Sequence, residues 1–289
     1  MTTTAPGSNT RTAHLSVSRR RELGEASARS LLTTVLGEYV LSGDKPVWTR
    51  TLVRALGTLG IEEKSARQAL ARSSGEGWLA SQRYGRRVQW QLTEPGRRLL
   101  TQGADRIYSF GSEQRAWDGR WIVLLVSVPE AKRELRHRLR TRLSWAGFGT
   151  PSPGVWISPD PGREGEARQI LGELGLAAES MSFLASYGSI GTQDCVARLA
   201  WDLHGVAQRY QKFIDAFAGL QPVSGGELFT AQTLLVHEWR RFPFLDPRLP
   251  AELLGDQWIG TAAAQLFRAR HGQWRTEAQQ YWAALAGQG

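Results

Sequence analysis

Between residues 62 and 92 the hydrophobic period of the chain changes abruptly, and that change limits what its first third can become. Over Glu62–Ser73, Ala66, Ala69 and Leu70 recur at helical spacing. Lys64, Gln68 and Arg72 lie at i, i+4 and i+8 on the opposite side, flanked by Ser65 and Arg67. Gly75 and Gly77 stop this helix, and Trp78–Gln82 and Val88–Leu92 read as two short strands. The tip between them, Arg83-Tyr84-Gly85-Arg86-Arg87, is a tight basic hairpin in which glycine permits the reversal. Upstream, Ser27 caps a helix bearing Leu31, Leu32, Val35 and Leu36, and Thr49 caps a second bearing Leu52, Val53, Leu56 and Leu59. A fourth helix starts at Thr93, with Glu94 and Pro95 in its first turn. Three helices, a hairpin and a helix make residues 26–108 a winged helix-turn-helix in expectation.

Charge points the same way. Residues 1–100 hold 16 Lys and Arg against 8 Asp and Glu, whereas the remaining 189 hold 20 against 19. Basic charge confined to one third of a chain suggests a polyanionic partner for that third. In a helix-turn-helix the second helix of the pair enters the major groove, where Gln pairs with adenine and Arg with guanine through two hydrogen bonds. Three guanidiniums on a protruding hairpin repel one another unless they meet anionic oxygen, which a minor groove or phosphate backbone supplies. The candidate DNA-contacting residues are therefore Lys64, Ser65, Arg67, Gln68, Arg72, Arg83, Tyr84, Arg86 and Arg87. Residues 1–25, rich in Thr, Ser and Arg without apolar periodicity, read as a flexible basic arm.

From Trp117 onward the pattern is different. Trp121–Val128 is a buried strand, Pro129 leads into a helix reaching about Ala146, and Gly154–Ser158 is a second strand. A helix near 163–174 and a strand near 180–187 complete a small α+β, ferredoxin-like domain over residues 115–190. Residues 191–289 read as a helical C-terminal domain, with Val206, Tyr210, Phe213, Ile214 and Phe217 on one face of one helix. The fold class expected is α+β in three parts.

Several functions are disfavoured outright. Cys195, the single cysteine, has no internal disulfide partner, as suits a reducing cytoplasm. The longest clean apolar run, Trp121–Val126, is too short to span a bilayer, and residues 1–25 lack a secretory core. The five histidines show no metal-ligand spacing, and neither a G-x-S-x-G elbow nor a G-x-x-x-x-G-K-[ST] loop occurs. No cofactor is expected, and a cytoplasmic protein that is not an enzyme is.

Three segments, in order, carry a family resemblance. They are Asp118-Gly119-Arg120-Trp121 with Pro129-Glu130 and Gly147-Phe148-Gly149 after it, then Trp201-Asp202-Leu203 with Tyr210 and Phe213. The third is His237-Glu238-Trp239-Arg240-Arg241, continued by Asp246-Pro247, Leu249-Pro250, Glu252-Leu253-Leu254, Trp258 and Gly260. The chain resembles the PaaX-like phenylacetate-degradation repressors from about Ala28 to its last helix. Gly255, where proline is frequent in that family, and Phe242-Pro243-Phe244 depart from the pattern. The resemblance implies a homodimeric repressor of a catabolic operon, bound to double-stranded operator DNA. It implies release by an acyl- or aryl-coenzyme A thioester such as phenylacetyl-CoA. It also implies a middle domain similar to the CRISPR-associated spacer-acquisition endonuclease, which raises a metal-dependent nuclease as the alternative. Against that alternative, Ser127 stands where the endonuclease has its acidic metal ligand, and Asp118 lies at the wrong end of the strand. An effector's phosphates need cations. His237, Trp239, Arg240 and Arg241 form one candidate group, and Lys132, Arg133, Arg136 and Arg140 another, with internal salt bridging as the competing role of both.

Overall fold

The structure, a computed structural model, describes residues 26–43, 45–111, 116–255 and 257–288. The proposed N-terminal arm lies outside these. In chain order the elements are α1 (Ala28–Val35), continued by a π-helical turn over Leu36–Val40, β1 (Val47–Trp48), α2 (Thr49–Thr58), α3 (Glu63–Gly75), β2 (Leu79–Tyr84), β3 (Arg87–Leu92) and α4 (Glu94–Ser109). There follow β4 (Arg120–Leu125), α5 (Arg133–Trp145), β5 (Gly149–Ser152), β6 (Val155–Ser158), α6 (Glu164–Glu173) and β7 (Met181–Ser186). The chain closes with α7 (Gln193–Ala200), α8 (Leu203–Phe217), α9 (Gly225–Trp239), α10 (Phe242–Leu245), α11 (Ala251–Leu254) and α12 (Ile259–Gly287). No helix among the described residues is long and apolar enough to cross a membrane.

Contacts divide the chain into two compact units. The first contains the described residues up to Gln102, Phe213–Glu238, and the described residues from Arg268 onward. Its core joins Leu31, Leu32 and Val35 of α1 to Leu52 and Leu56 of α2, Ala66 and Leu70 of α3, and Leu79 and Leu92 at the hairpin root. Phe229 of α9 and Trp282 of α12 complete that core. Ser27 caps α1 as the sequence indicates, accepting from the Ser30 N–H at 3.1 Å. Thr49 does not cap α2: Trp48 occupies the cap position without a side-chain bond, and Thr49 is the first helical residue. Its hydroxyl instead donates to the Val88 carbonyl at 3.0 Å and accepts from Trp90 Nε1 at 2.8 Å, tying α2 to β3.

That tie reflects a strand the sequence did not disclose. β1 is two residues long and pairs antiparallel with β3, Val47 opposite Trp90 and Trp48 opposite Gln89, giving the order β1-β3-β2. The hairpin is also longer than expected, with six cross-strand pairs from Leu79↔Leu92 out to Tyr84↔Arg87. At its base Gly96 is indispensable, because a Cβ there would lie 2.2 Å from the Trp78 carbonyl oxygen. Only glycine lets α4 approach the hairpin so closely. The π-helical turn, closed by Leu41 N–H to the Leu36 carbonyl at 2.8 Å, presents Glu38. The buried Glu38 carboxylate accepts from Gln232 Nε2 at 2.9 Å and lies 3.1 Å from His271 Nε2. A buried carboxylate without such donors would be costly.

The second unit contains residues 103–212 and 239–267. Its sheet is entirely antiparallel in the order β5-β6-β4-β7, and the succession β4-α5-β5-β6-α6-β7 is that of the ferredoxin-like fold. Period-two alternation along β4 assigns its faces. Ile122 and Leu124 pack under Leu139 and Leu143 of α5 and Ala167 and Ile170 of α6, whereas Trp121 meets Ala197 of α7 and Leu253 of α11. Between α5 and Gly154–Ser158 the sequence discloses no strand, yet β5 lies there. β5 is an edge strand, where Pro151 costs no ladder bond, and its Gly-Pro content resembles a loop.

Candidate nucleic-acid interface

α3 separates its two faces cleanly. Ala66, Ala69, Leu70 and Ser73 are buried, while Lys64, Arg67, Gln68 and Arg72 are exposed and Ser65 is half-buried. One turn into the helix Glu63 pairs with Arg67 at 2.7 Å, partly occupying that guanidinium. Lys64 and Arg72 have no ion-pair partner among the described residues. At the other end of α3, Arg29 of α1 pairs with Glu76 and lies 5.1 Å above the Trp78 ring, fastening α1 to the loop that launches the hairpin.

The hairpin turn consists of Gly85 and Arg86, with Gly85 at φ +58°. A positive φ at the first of two turn residues is where glycine is favoured, and such a turn matches the twist of the flanking strands. Arg83, Tyr84, Arg86 and Arg87 are all exposed, and the three arginines have no ion pair among the described residues. Beneath them Trp48 acts as a brace. The Arg87 guanidinium lies 5.9 Å from its ring, and the Tyr84 ring meets it edge-on at 5.9 Å, leaving Tyr84 49% exposed. Sequence reasoning singled out the tip but missed Trp48, since a two-residue strand leaves no periodic trace. The chain thus presents five cations without an ion pair among the described residues, Lys64, Arg72, Arg83, Arg86 and Arg87, on a helix face and a hairpin anchored in one core.

The group considered for an effector is dispersed. His237 is buried in the first unit, with Nδ1 3.1 Å from Thr34 Oγ1. Trp239 is fully buried in the second unit, stacked on Phe267 at 4.7 Å and donating to the Ile107 carbonyl at 3.3 Å. Of the four, Arg240 is half-buried and Arg241 exposed. Farther along the same segment Asp246 is a structural staple: Tyr210 Oη donates to it at 2.6 Å, and burial pushes its carboxyl above the usual range. Phe242 stacks on Tyr210 at 4.1 Å, so the aromatic and acidic residues of this motif pack against one another.

In the middle domain Ser127 is exposed beyond the end of β4. Asp118 accepts from the Arg120 N–H at 3.0 Å and from its guanidinium at 2.7 Å, and these bonds hold its carboxyl below the ordinary range. Among the described residues no group of three His, Cys, Asp or Glu side chains is placed to hold a metal ion.

An α+β chain with a basic helix-and-hairpin surface on one unit and a ferredoxin-like sheet in the other has the composition of a DNA-binding regulator. Three family models match it in order: PaaX-like protein over residues 27–96, PaaX protein central Cas2-like domain over 114–197, and PaaX-like protein C-terminal domain over 201–284. The chain is 34% identical over 251 residues to the transcriptional repressor PaaX of Escherichia coli (strain K12), covering 83% of this chain and 78% of that one. It belongs to the PaaX family. The uncharacterized protein Rv0674 from Mycobacterium tuberculosis shares the fold, with a TM-score of 0.60 at 24% identity over 90% of this chain and 99% of that one.

Proposed function

We propose that this protein is a transcriptional repressor that grips operator DNA through a winged helix-turn-helix. In this reading α2 and α3 form the helix-turn-helix pair, α3 enters the major groove, and the β2–β3 hairpin is the wing. The observation that carries the reading is the set of five unpaired cations on α3 and the hairpin tip, together with Gln68 on the exposed face of α3. The name of the Escherichia coli relative supports it. Lys64, Arg83, Arg86 and Arg87 neutralise phosphates, Tyr84 packs against sugar or backbone, and Ser65, Arg67, Gln68 and Arg72 face base edges and neighbouring phosphates. The protein works in the cytoplasm as a homodimer and not as an enzyme, its two recognition helices meeting major grooves about 34 Å apart.

An acyl- or aryl-coenzyme A thioester releases the dimer by favouring a geometry that breaks this spacing. Arg240 and Arg241 are the members of the effector group whose side chains reach solvent to meet its phosphates. His237 and Trp239, each buried within its own unit, belong to this group as packing residues.

The test is base discrimination. Q68A weakens binding by about 1–3 kcal/mol on the best operator and equalises affinities at the base pair that Gln68 reads. If Q68A lowers affinity uniformly on every sequence, or leaves it unchanged, α3 is not the reading helix.

A further inference from the structure

Residues 101–289 are nearly neutral, with 20 Lys and Arg against 19 Asp and Glu, yet six of those cations fall between Lys132 and Arg142. This stretch is the start of α5, whose Leu139 and Leu143 are buried against the sheet. Around the rest of the helix Arg133, Arg136, His137, Arg138 and Arg140 are exposed. Ion pairing among the described residues leaves most of them open. Arg142 pairs with Glu173, and Arg136 reaches Glu130 at 4.0 Å. Lys132, Arg133, Arg138 and Arg140 have no ion-pair partner among the described residues.

Like charges at i, i+4 destabilise a helix, and here Lys132, Arg136 and Arg140 repeat at that interval. Five of the six cations are arginine, whose planar donor fork matches phosphate oxygens. At 1.5 Å per residue Arg133 and Arg140 stand about 10 Å apart along the helix. Along the duplex axis that length spans about three base-pair steps, at 3.4 Å of axis per charge on one strand. At the end of the helix Trp145 is 80% exposed, an indole that no side chain of its own unit covers.

We propose that α5 is a second, sequence-independent contact for the phosphodiester backbone of duplex DNA, borne by Arg133, Arg136 and Arg140 with Lys132 at the start of the helix. It rests on the duplex-binding reading above and adds affinity without adding base preference. Each phosphate neutralised there releases counterion, so its contribution is greatest at low salt.

The full-length chain is measured on a promoter-region duplex and on a shuffled duplex of equal length, across a salt series, as wild type, R133A/R140A, R133K/R140K and R86A/R87A. R133A/R140A removes two phosphate contacts from each subunit of the proposed dimer, which flattens the log–log salt slope by about 3.6 and weakens binding about 4,000-fold at 0.1 M salt. R133A/R140A shows that loss equally on both duplexes, and R133K/R140K, which keeps the charge, retains most of the affinity. An R133A/R140A protein with wild-type slope and affinity on the shuffled duplex overturns the proposal. So does one that keeps duplex affinity while losing titratable binding of coenzyme A, since the face would then serve a small phosphate ester. A wild-type chain that binds both duplexes equally refutes operator reading by α3 instead, because the α5 contact is judged on the shuffled duplex alone.

Discussion

Replacing Arg86 and Arg87 with alanine isolates the contribution of the wing. Both residues are exposed at the hairpin turn, and neither has an ion pair among the described residues, so truncation leaves no buried partner orphaned. Gly85 still closes the turn, and the Leu79 and Leu92 root remains in the core, so the hairpin itself survives. In the proposed homodimer the five unpaired cations of each α3 and hairpin make ten, and counterion release at these ten contributes about −9 to the slope of log K against log salt. The double variant leaves six of these, for a contribution of about −5.4 and a flattening of about 3.6. Fluorescence anisotropy with a labelled operator duplex between about 50 and 200 mM salt resolves such a change, the range over which backbone-bound proteins lose several decades of affinity. Arg87 also lies over Trp48, and the charge-preserving R86K/R87K separates charge from packing: it keeps the steep slope. A double alanine variant whose slope equals that of the wild type removes the hairpin from the interface, whatever its absolute affinity.

Two further outcomes test the scaffold that positions this surface. G96A drives a methyl group into the Trp78 carbonyl and costs about 1–3 kcal/mol, lowering Tm by several degrees. G103A on the same helix meets nothing within 4 Å and is neutral or mildly stabilising, so equal Tm values for the two variants would contradict the close approach. The second outcome concerns Asp246, whose carboxyl is raised by burial. A raised carboxyl stabilises the fold most when protonated, below about pH 3.9, and that contribution is lost as pH rises through its folded value. The Tm of D246N minus that of wild type therefore grows more positive from pH 4 to pH 8. A difference that is flat or falls with pH refutes this assignment.

The legible parts of the chain were those in which a local period fixes which side chains are buried. α3 showed itself through Ala66, Ala69 and Leu70, β4 through its apolar run, and the hairpin through two strands about a glycine. What escaped depends on pairing between distant residues. β1 has no period of its own and exists because Trp90 and Gln89 lie opposite it, so neither the Trp48 brace nor the role of Thr49 was visible. β5 was hidden by residues that an edge strand tolerates. His237 and Trp239 suggest ligand chemistry in sequence because they stand beside two arginines; that both are buried, His237 against Thr34 and Trp239 against Phe267, has no trace in the sequence. Tyr210 and Asp246 are 36 positions apart, and only the folded chain brings them within hydrogen-bonding distance.

Affinity of the full-length protein for the duplex upstream of its own gene, set against a shuffled duplex of the same length and composition at about 0.15 M salt, bears most directly on repression through α3 and the hairpin. Recognition of base edges predicts a preference of about 1,000-fold or more for the upstream duplex, abolished when Gln68 and Arg72 are both replaced by alanine. Equal binding of the two duplexes, or a preference that survives the loss of both side chains, contradicts it.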